Sequence, residues 1–277
     1  MSKSQATTML VPSSDELVEH LLAETDQREV GPTDSGALVD FLGLRRISTN
    51  VAETLPEART VSGDAVRALL DYQERLVVVD AALSDRRSRF SSLHEIAHYV
   101  LPDHQGQIIV CGEQDLGFRA VRVEEREANA FAAGLQFKGR RFQLETASLP
   151  ISALTVKETA GAFDASFEST ARRLVETSLR PCLLAVYQDD GWDDDGARRT
   201  SVRYSIPSPS FEQRFGRRLT DKNNAHVAAV WIPGRDIADT VAEEVAIETG
   251  DGETTRFRAE YFFNGYSAFC LITSPRA

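Results

Sequence analysis

The stretch Arg89-Phe90-Ser91-Ser92-Leu93-His94-Glu95-Ile96-Ala97-His98-Tyr99-Val100-Leu101 decides how this chain is read. It lies within a helical pattern running from Ser84 to Leu101, which Pro102 stops. With about 3.6 residues per turn, His94 and His98 sit about 40° apart and one turn along the axis. Both imidazoles can therefore reach one metal ion. Glu95 falls about 60° from His98 on the adjoining flank. From there it can take a proton from a metal-activated water without using a coordination position. The bland alternative is a surface helix carrying two incidental histidines.

A catalytic zinc usually has three protein ligands and one open position. The third ligand is sought on the next helical pattern, Val121 to Phe137, which offers Glu124, Glu125 and Glu127. Glu125 and Asn129 are four apart and share a face with Ala132 and Ala133, whose small side chains let two helices approach closely. This makes Glu125 the ligand and Asn129 a partner that orients a ligating histidine. Glu127 points about 200° away, toward solvent or a salt bridge, and Glu124 is the weaker alternative ligand. Tyr99 and His104 lie near enough in sequence to approach an oxyanion, but packing and loop roles explain them better.

Outward from these helices, Ser14 to Gln27 and Asp34 to Leu42 read as helices, the first opened by a serine-aspartate cap. Arg46 to Val51 reads as extended, and the runs 68–71 and 75–80 as a hairpin. Leu149-Pro150 closes a first domain, 1–148. Two short helical stretches, Ile151 to Ala162 and Ser166 to Leu179, form a middle segment, 149–180. Beyond Arg180-Pro181, a third domain, 181–277, has strand-like runs at Leu183–Tyr187, Thr200–Ile206, Val227–Ile232 and Thr254–Thr273. Asn264-Gly265 between two apolar runs predicts a type I′ hairpin. The aspartate-rich segment Asp189–Asp195 reads as a solvated loop, and Arg214, Arg217 and Arg218 as a modest basic spot.

The residues quoted above resemble the ImmA/IrrE family of metallopeptidases over most of the chain before Arg180. Arg89 to Leu101 is similar to the family's stretch around its HExxH. Glu125-Arg126-Glu127-Ala128-Asn129-Ala130-Phe131-Ala132-Ala133 is similar to its second motif, whose first glutamate is the third metal ligand. Gly31-Pro32-Thr33-Asp34 with Leu38–Leu44 resembles its entry helix, and Arg75–Asp80 the strand before the active-site helix. The second motif here ends Leu135-Gln136-Phe137-Lys138-Gly139-Arg140-Arg141, not in the family's Leu-Met-Pro-like stretch.

The resemblance implies an α+β chain with a zincin-like metallopeptidase domain, a helix-turn-helix-like middle and a C-terminal α/β sensor or docking domain of GAF-like type. It implies His94, His98 and Glu125 as metal ligands, Glu95 as the catalytic residue, and zinc as the ion, with manganese as the alternative. The implied partner is a helix-turn-helix transcriptional repressor, cut at a specific site to release stress, DNA-damage or mobile-element genes. The rival reading is a non-proteolytic regulator or toxin-antitoxin partner with a structural metal site.

Composition narrows the partners further. The 277 residues carry 31 Lys and Arg against 42 Asp and Glu, a net charge of −11. A general nucleic-acid coat or polybasic membrane protein would have the opposite sign. In the middle segment Lys157, Arg172, Arg173 and Arg180 are matched by Glu158, Asp164, Glu168 and Glu176. Arg172 and Arg173 could meet phosphates beyond a cap at Ser166, but balanced charge releases few counterions, so DNA contact is expected to be weak. No apolar run suits a bilayer span or a signal peptide. The scattered Cys111, Cys182 and Cys270 fit reduced, buried thiols in a cytoplasm.

Overall fold

A computed structural model describes residues 12–54, 66–104, 108–112, 115–116, 122–192, 198–215, 240–248 and 253–274. Helices and two separate sheets alternate along the chain, which fits the α+β class. The chain divides into two compact units, Met1–Arg141 and Phe142–Ala277. Among the described residues no helix is long and apolar enough to cross a membrane.

The first unit opens with α1 (Ser14–Glu24), started by a reciprocal cap. The Ser13 hydroxyl accepts from the Glu16 amide, and the Ser13 amide donates to the Glu16 carboxylate at 2.7 Å. Asp34 caps α2 (Ser35–Phe41) by accepting from the Gly36 and Ala37 amides. There follow β1 (Arg45–Thr49), α3 (Val51–Thr54), β2 (Val66–Asp71) and β3 (Leu76–Asp80). Next come α4 (Asp85–Val100), a 3-10 turn at Pro102–His104, β4 (Ile108–Gly112), α5 (Val123–Gln136) and α6 (Arg140–Thr146), which crosses into the second unit.

The sheet order is β1-β3-β2-β4, with β1 parallel to β3 and the other pairings antiparallel. The expected hairpin is present: Leu70 pairs with Val77, and Arg75 takes a φ of +50° at the turn. Strand alternation then sorts the core. Leu70, Val77 and Val79 pack with Leu93, Ile96, Ala97, Phe131 and Leu135 of the two long helices. Leu69 and Val78 join Val51 and Val66 in the cluster on the other side. Ala97, Ala128 and Ala132 are all fully buried between helices and sheet. β4 has no counterpart in the sequence reading, because Ile108-Ile109-Val110 is too short an apolar run to separate from a loop.

In the second unit, α7 (Ala153–Ala162) and α8 (Phe167–Glu176) precede β5 (Cys182–Trp192), β6 (Arg198–Pro207), α9 (Pro209–Phe215), β7 (Val241–Glu248), β8 (Thr254–Phe263) and β9 (Ala268–Thr273). The strands form one antiparallel sheet in the order β6-β5-β9-β8-β7. Runs such as Cys182–Tyr187 and Ala268–Ile272 are buried throughout, as strands covered on both faces must be. One face of β8, through Phe257, Ala259, Tyr261 and Phe263, packs with Phe211 and Phe215 of α9. On the opposite face Phe262 and Phe269 stack with centroids 5.1 Å apart, and Phe167 of α8 meets both rings. Glu260, on the same face as Phe262, is buried and accepts a hydrogen bond from the Ala153 amide at the start of α7.

Ser166 caps α8 by accepting from the Ser169 amide. Every residue of α8 is buried or half-buried, Arg172 pairs with Glu176, and Glu168 accepts from the Tyr204 hydroxyl of β6. The β8–β9 hairpin differs from the type I′ expectation. Phe263 pairs with Ala268, so the connection has four residues, and of Asn264 and Gly265 only Gly265 has a positive φ. A type I′ turn needs positive φ at both. The Asn264 side chain instead accepts from the Tyr266 and Ser267 amides, a local turn of its own. The expected strand at 227–232, the pair Arg217-Arg218 and the end of the aspartate-rich segment lie outside the described residues.

Candidate metal centre

The packing of α4 against α5 determines what meets inside the first unit. His94, Glu95 and His98 are buried on α4, and Glu125 is buried on α5. The Nε2 atoms of His94 and His98 lie 3.0 Å apart, and Glu125 Oε2 lies 3.1 and 3.3 Å from them. Bonds of about 2.0–2.2 Å to a tetrahedral ion put its donors about 3.3–3.6 Å apart, within a few tenths of an ångström of these spacings.

The outer hydrogen bonds fix which nitrogen faces inward. Asn129 Nδ2 donates to the Asp115 carbonyl at 2.7 Å, so its Oδ1 faces His94 as an acceptor. His94 Nδ1 stands 3.0 Å from that oxygen and must carry its proton. Its Nε2 is left as a lone pair aimed at His98 and Glu125. On the other side, His98 Nδ1 lies 3.0 Å from His104 Nδ1, and His104 Nε2 lies 3.0 Å from Glu127 Oε2. With His98 Nδ1 and His104 Nε2 as donors, protons point outward along the chain to Glu127, and His98 Nε2 also faces inward as a lone pair. Two lone pairs and a carboxylate oxygen converge in a buried space. Such a donor set calls for a cation, and the residues fit a divalent metal.

Charge in the site follows from burial. Burial pushes the His94 imidazole down, against the pull of Glu125. Burial alone would raise the Glu125 carboxyl, but where the inward nitrogens carry a proton in place of an ion, the hydrogen bonds and charge of His94 and His98 hold it well below the usual carboxylate range. The Arg122 guanidinium pairs with its other oxygen, Oε1, which leaves Oε2 for the histidines. Glu95 is different. Both its oxygens are buried without a hydrogen-bond partner by geometry. Burial raises its pKa well above the ordinary value; the nearby Cys111 thiol pulls it back in part, and the charges of Glu125 and Asp115 raise it further.

One residue in the centre escaped sequence reasoning, and another was read there as a loop residue. Cys111 of β4 is fully buried with Sγ 4.0 Å from Glu125 Oε2, and the donor atoms of His94, His98, Cys111 and Glu125 all lie within 4.8 Å of one another. Its thiol pKa is pushed well up, by burial first and then by Glu95 and Glu125. Nothing in sequence spacing links position 111 to 94 without β4 in view. His104 is the second, brought beneath His98 by the 3-10 turn after α4.

Of the other candidates, Glu124 is exposed and Glu127 serves as the acceptor for His104. The Tyr99 hydroxyl accepts from Arg75 at 2.7 Å and its ring packs on Tyr72, and it is not one of the four converging donors.

Comparison with known proteins adds to this geometry. Residues 54–175 match the peptidase family model described as the IrrE N-terminal-like domain. A solved Mycobacterium tuberculosis transcriptional regulator is similar at 15% identity with a TM-score of 0.55, covering 94% of this chain and 75% of that one. At that identity the likeness concerns the fold. No curated protein matches the chain.

Proposed function

We propose, from the membership of residues 54–175 in the ImmA/IrrE metallopeptidase family, that this protein is a metal-dependent endopeptidase acting on a helix-turn-helix transcriptional repressor. The observation that carries the reading is Glu95, whose two buried, unpartnered oxygens lie beside three converging metal donors. A helix built only for stability would not leave a carboxylate there, since an unsatisfied buried polar group costs about 1–3 kcal/mol.

In this reading His94, His98 and Glu125 hold the ion, zinc or manganese. A divalent ion so held supplies Lewis acidity that polarises a peptide carbonyl and eases water deprotonation. Glu95 takes the proton of the attacking water on its carboxylate, helped by the raised proton affinity that burial gives it. The same carboxyl then returns the proton to the leaving amine nitrogen. Asn129 and the His104–Glu127 pair keep the imidazoles turned so that Nε2 faces the ion. Arg122 holds the third ligand at its outer oxygen.

We further read the first unit's fold as zincin-like, α7–α8 as a helix-turn-helix-like pair, and the five-stranded sheet beyond 181 as a sensor or docking module of GAF-like type. The cytoplasm suits the free Cys111, Cys182 and Cys270.

The test is incubation of the full chain with the helix-turn-helix regulator encoded nearest to it, with and without chelator, read by intact mass. A single metal-dependent cut is expected. Glu95→Gln should retain the metal and lose about 10²–10⁴-fold in cleavage rate. Unchanged cleavage by that variant would remove Glu95 from its role.

One observation favours a second reading. Four protein donors, Cys111 included, resemble a closed structural site more than an open catalytic one. A non-proteolytic regulator would then need the metal for folding, and Glu95→Gln would leave its biological effect intact.

A further inference from the structure

We propose that Cys111 is a fourth protein donor to the metal and holds the centre closed at rest, so that the peptidase is latent until the thiolate leaves. This rests on the metallopeptidase reading above and adds a control to the same site.

The placement follows from strand alternation. Ile109 packs with the core beneath the two long helices, and Cys111, two residues on, points to the same side of the sheet. There Cys111 is opposite Ala68 of β2, whose side chain is too small to fill the space between sheet and helices. The thiol is consequently the group of β4 that reaches the converging donors.

Distances decide between a neighbour and a ligand. A tetrahedral shell with nitrogen or oxygen at about 2.0–2.2 Å and sulfur at about 2.3 Å has donor-to-sulfur edges of about 3.5–3.7 Å. Cys111 Sγ stands 4.0 Å from Glu125 Oε2 and no more than 4.8 Å from the histidine donors. Closing that gap takes a shift of about an ångström, within reach of a rotamer adjustment at the end of a five-residue strand. Thiolate is also the donor that zinc takes most readily among those present, alongside imidazole.

Glu95 gives an independent sign of what the thiol displaces. Its oxygens are buried, unpartnered and adjacent to the same thiol, the position from which a carboxylate would engage a water on the ion. Thiolate and water compete for that one place. With sulfur bound, the shell is complete and Glu95 has no water to deprotonate. With sulfur withdrawn, the water enters and Glu95 gains its partner.

The experiment uses the full chain reconstituted with Co(II), because zinc has a filled d shell and gives no spectrum of its own. Wild type is expected to show a thiolate-to-cobalt charge-transfer band in the near ultraviolet together with the visible bands of tetrahedral cobalt. The chain has three cysteines, so the double variant Cys182→Ser/Cys270→Ser leaves Cys111 alone and should keep the band. Cys111→Ser should lose it while retaining the visible bands, and should cut the repressor at least tenfold faster than wild type.

Visible cobalt bands without a charge-transfer band in wild type would overturn the fourth-donor assignment and leave the peptidase reading intact. Equal cleavage rates for wild type and Cys111→Ser would overturn latency. Should Cys111→Ser fail to fold by circular dichroism, loss of the band in the double variant overturns the proposal by itself. Failure of the peptidase reading shows elsewhere, as an uncut repressor with a fully loaded Cys111→Ser protein.

Discussion

Glu95 is fully buried with neither carboxylate oxygen in a hydrogen bond of good geometry, and that has a measurable cost in the metal-free protein. Its native pKa is raised by burial, whereas in the unfolded chain a glutamate titrates at about 4.3. Between that pH and the native value the folded state binds more protons than the unfolded state, so stability falls as pH rises. Glu95→Gln removes the ionisation. At pH 7 the metal-free variant should be about 1–3 kcal/mol more stable than wild type, with the difference vanishing below about pH 4. Thermal melts of both proteins across that range check it, and identical Tm values at pH 7 would mean that the ionised carboxylate is well partnered. The residues of the centre differ in how visible they were beforehand. His94, His98, Glu125 and Asn129 sit on helices, where a fixed angle per residue turns spacing into direction. Cys111 and His104 come from a short strand and a 3-10 turn, whose placement depends on chain tracing that no local period encodes.

At the scale of elements, the C-terminus of α5 is a tight joint in the first unit. Gly139 has a φ of +54°, and its amide donates to the Gly134 carbonyl at 2.8 Å, ending the helix in a left-handed turn. A methyl group at Gly139 would fall on the Glu19 carboxylate of α1, which accepts from the Arg140 amide at 2.9 Å. Gly139→Ala should therefore lose about 1–2 kcal/mol from the backbone and about 1 kcal/mol more from the displaced hydrogen bond. Denaturant unfolding measures it, and a loss below about 0.5 kcal/mol would show that Glu19 swings away freely. The helices α1, α4 and α5 were legible to within a few residues because each is long enough for a period to show, and α1 adds a serine cap. The β8–β9 hairpin was legible as a pair but not as a turn type, since the Asn264 side chain supplied hydrogen bonds that the sequence rule assigns to the backbone. β4 and α9 are too short for a period to emerge.

For the whole molecule, two compact units with separate sheets predict that metal acts locally. An ion bound at a free concentration of about 100 times its Kd stabilises what it holds by about 2.7 kcal/mol. Chelation of the loaded full chain should speed hydrogen exchange in α4, α5 and β4 about 100-fold, and leave the amides of β5 and β9 unchanged. A uniform rise across both units would contradict this. The second unit has its own internal constraint, in the buried carboxylate of Glu260 that accepts the first amide of α7. Successive residues of a strand face opposite sides, so sliding β8 by one position would carry Glu260 to the α9 side and put Tyr261 beneath the helix pair. The misaligned sheet would then bury a carboxylate among Phe211, Phe215 and Phe257 and leave the helix start without its acceptor. Strand alignment and helix seating thus proofread one another as the chain folds, and an error in either is rejected by both.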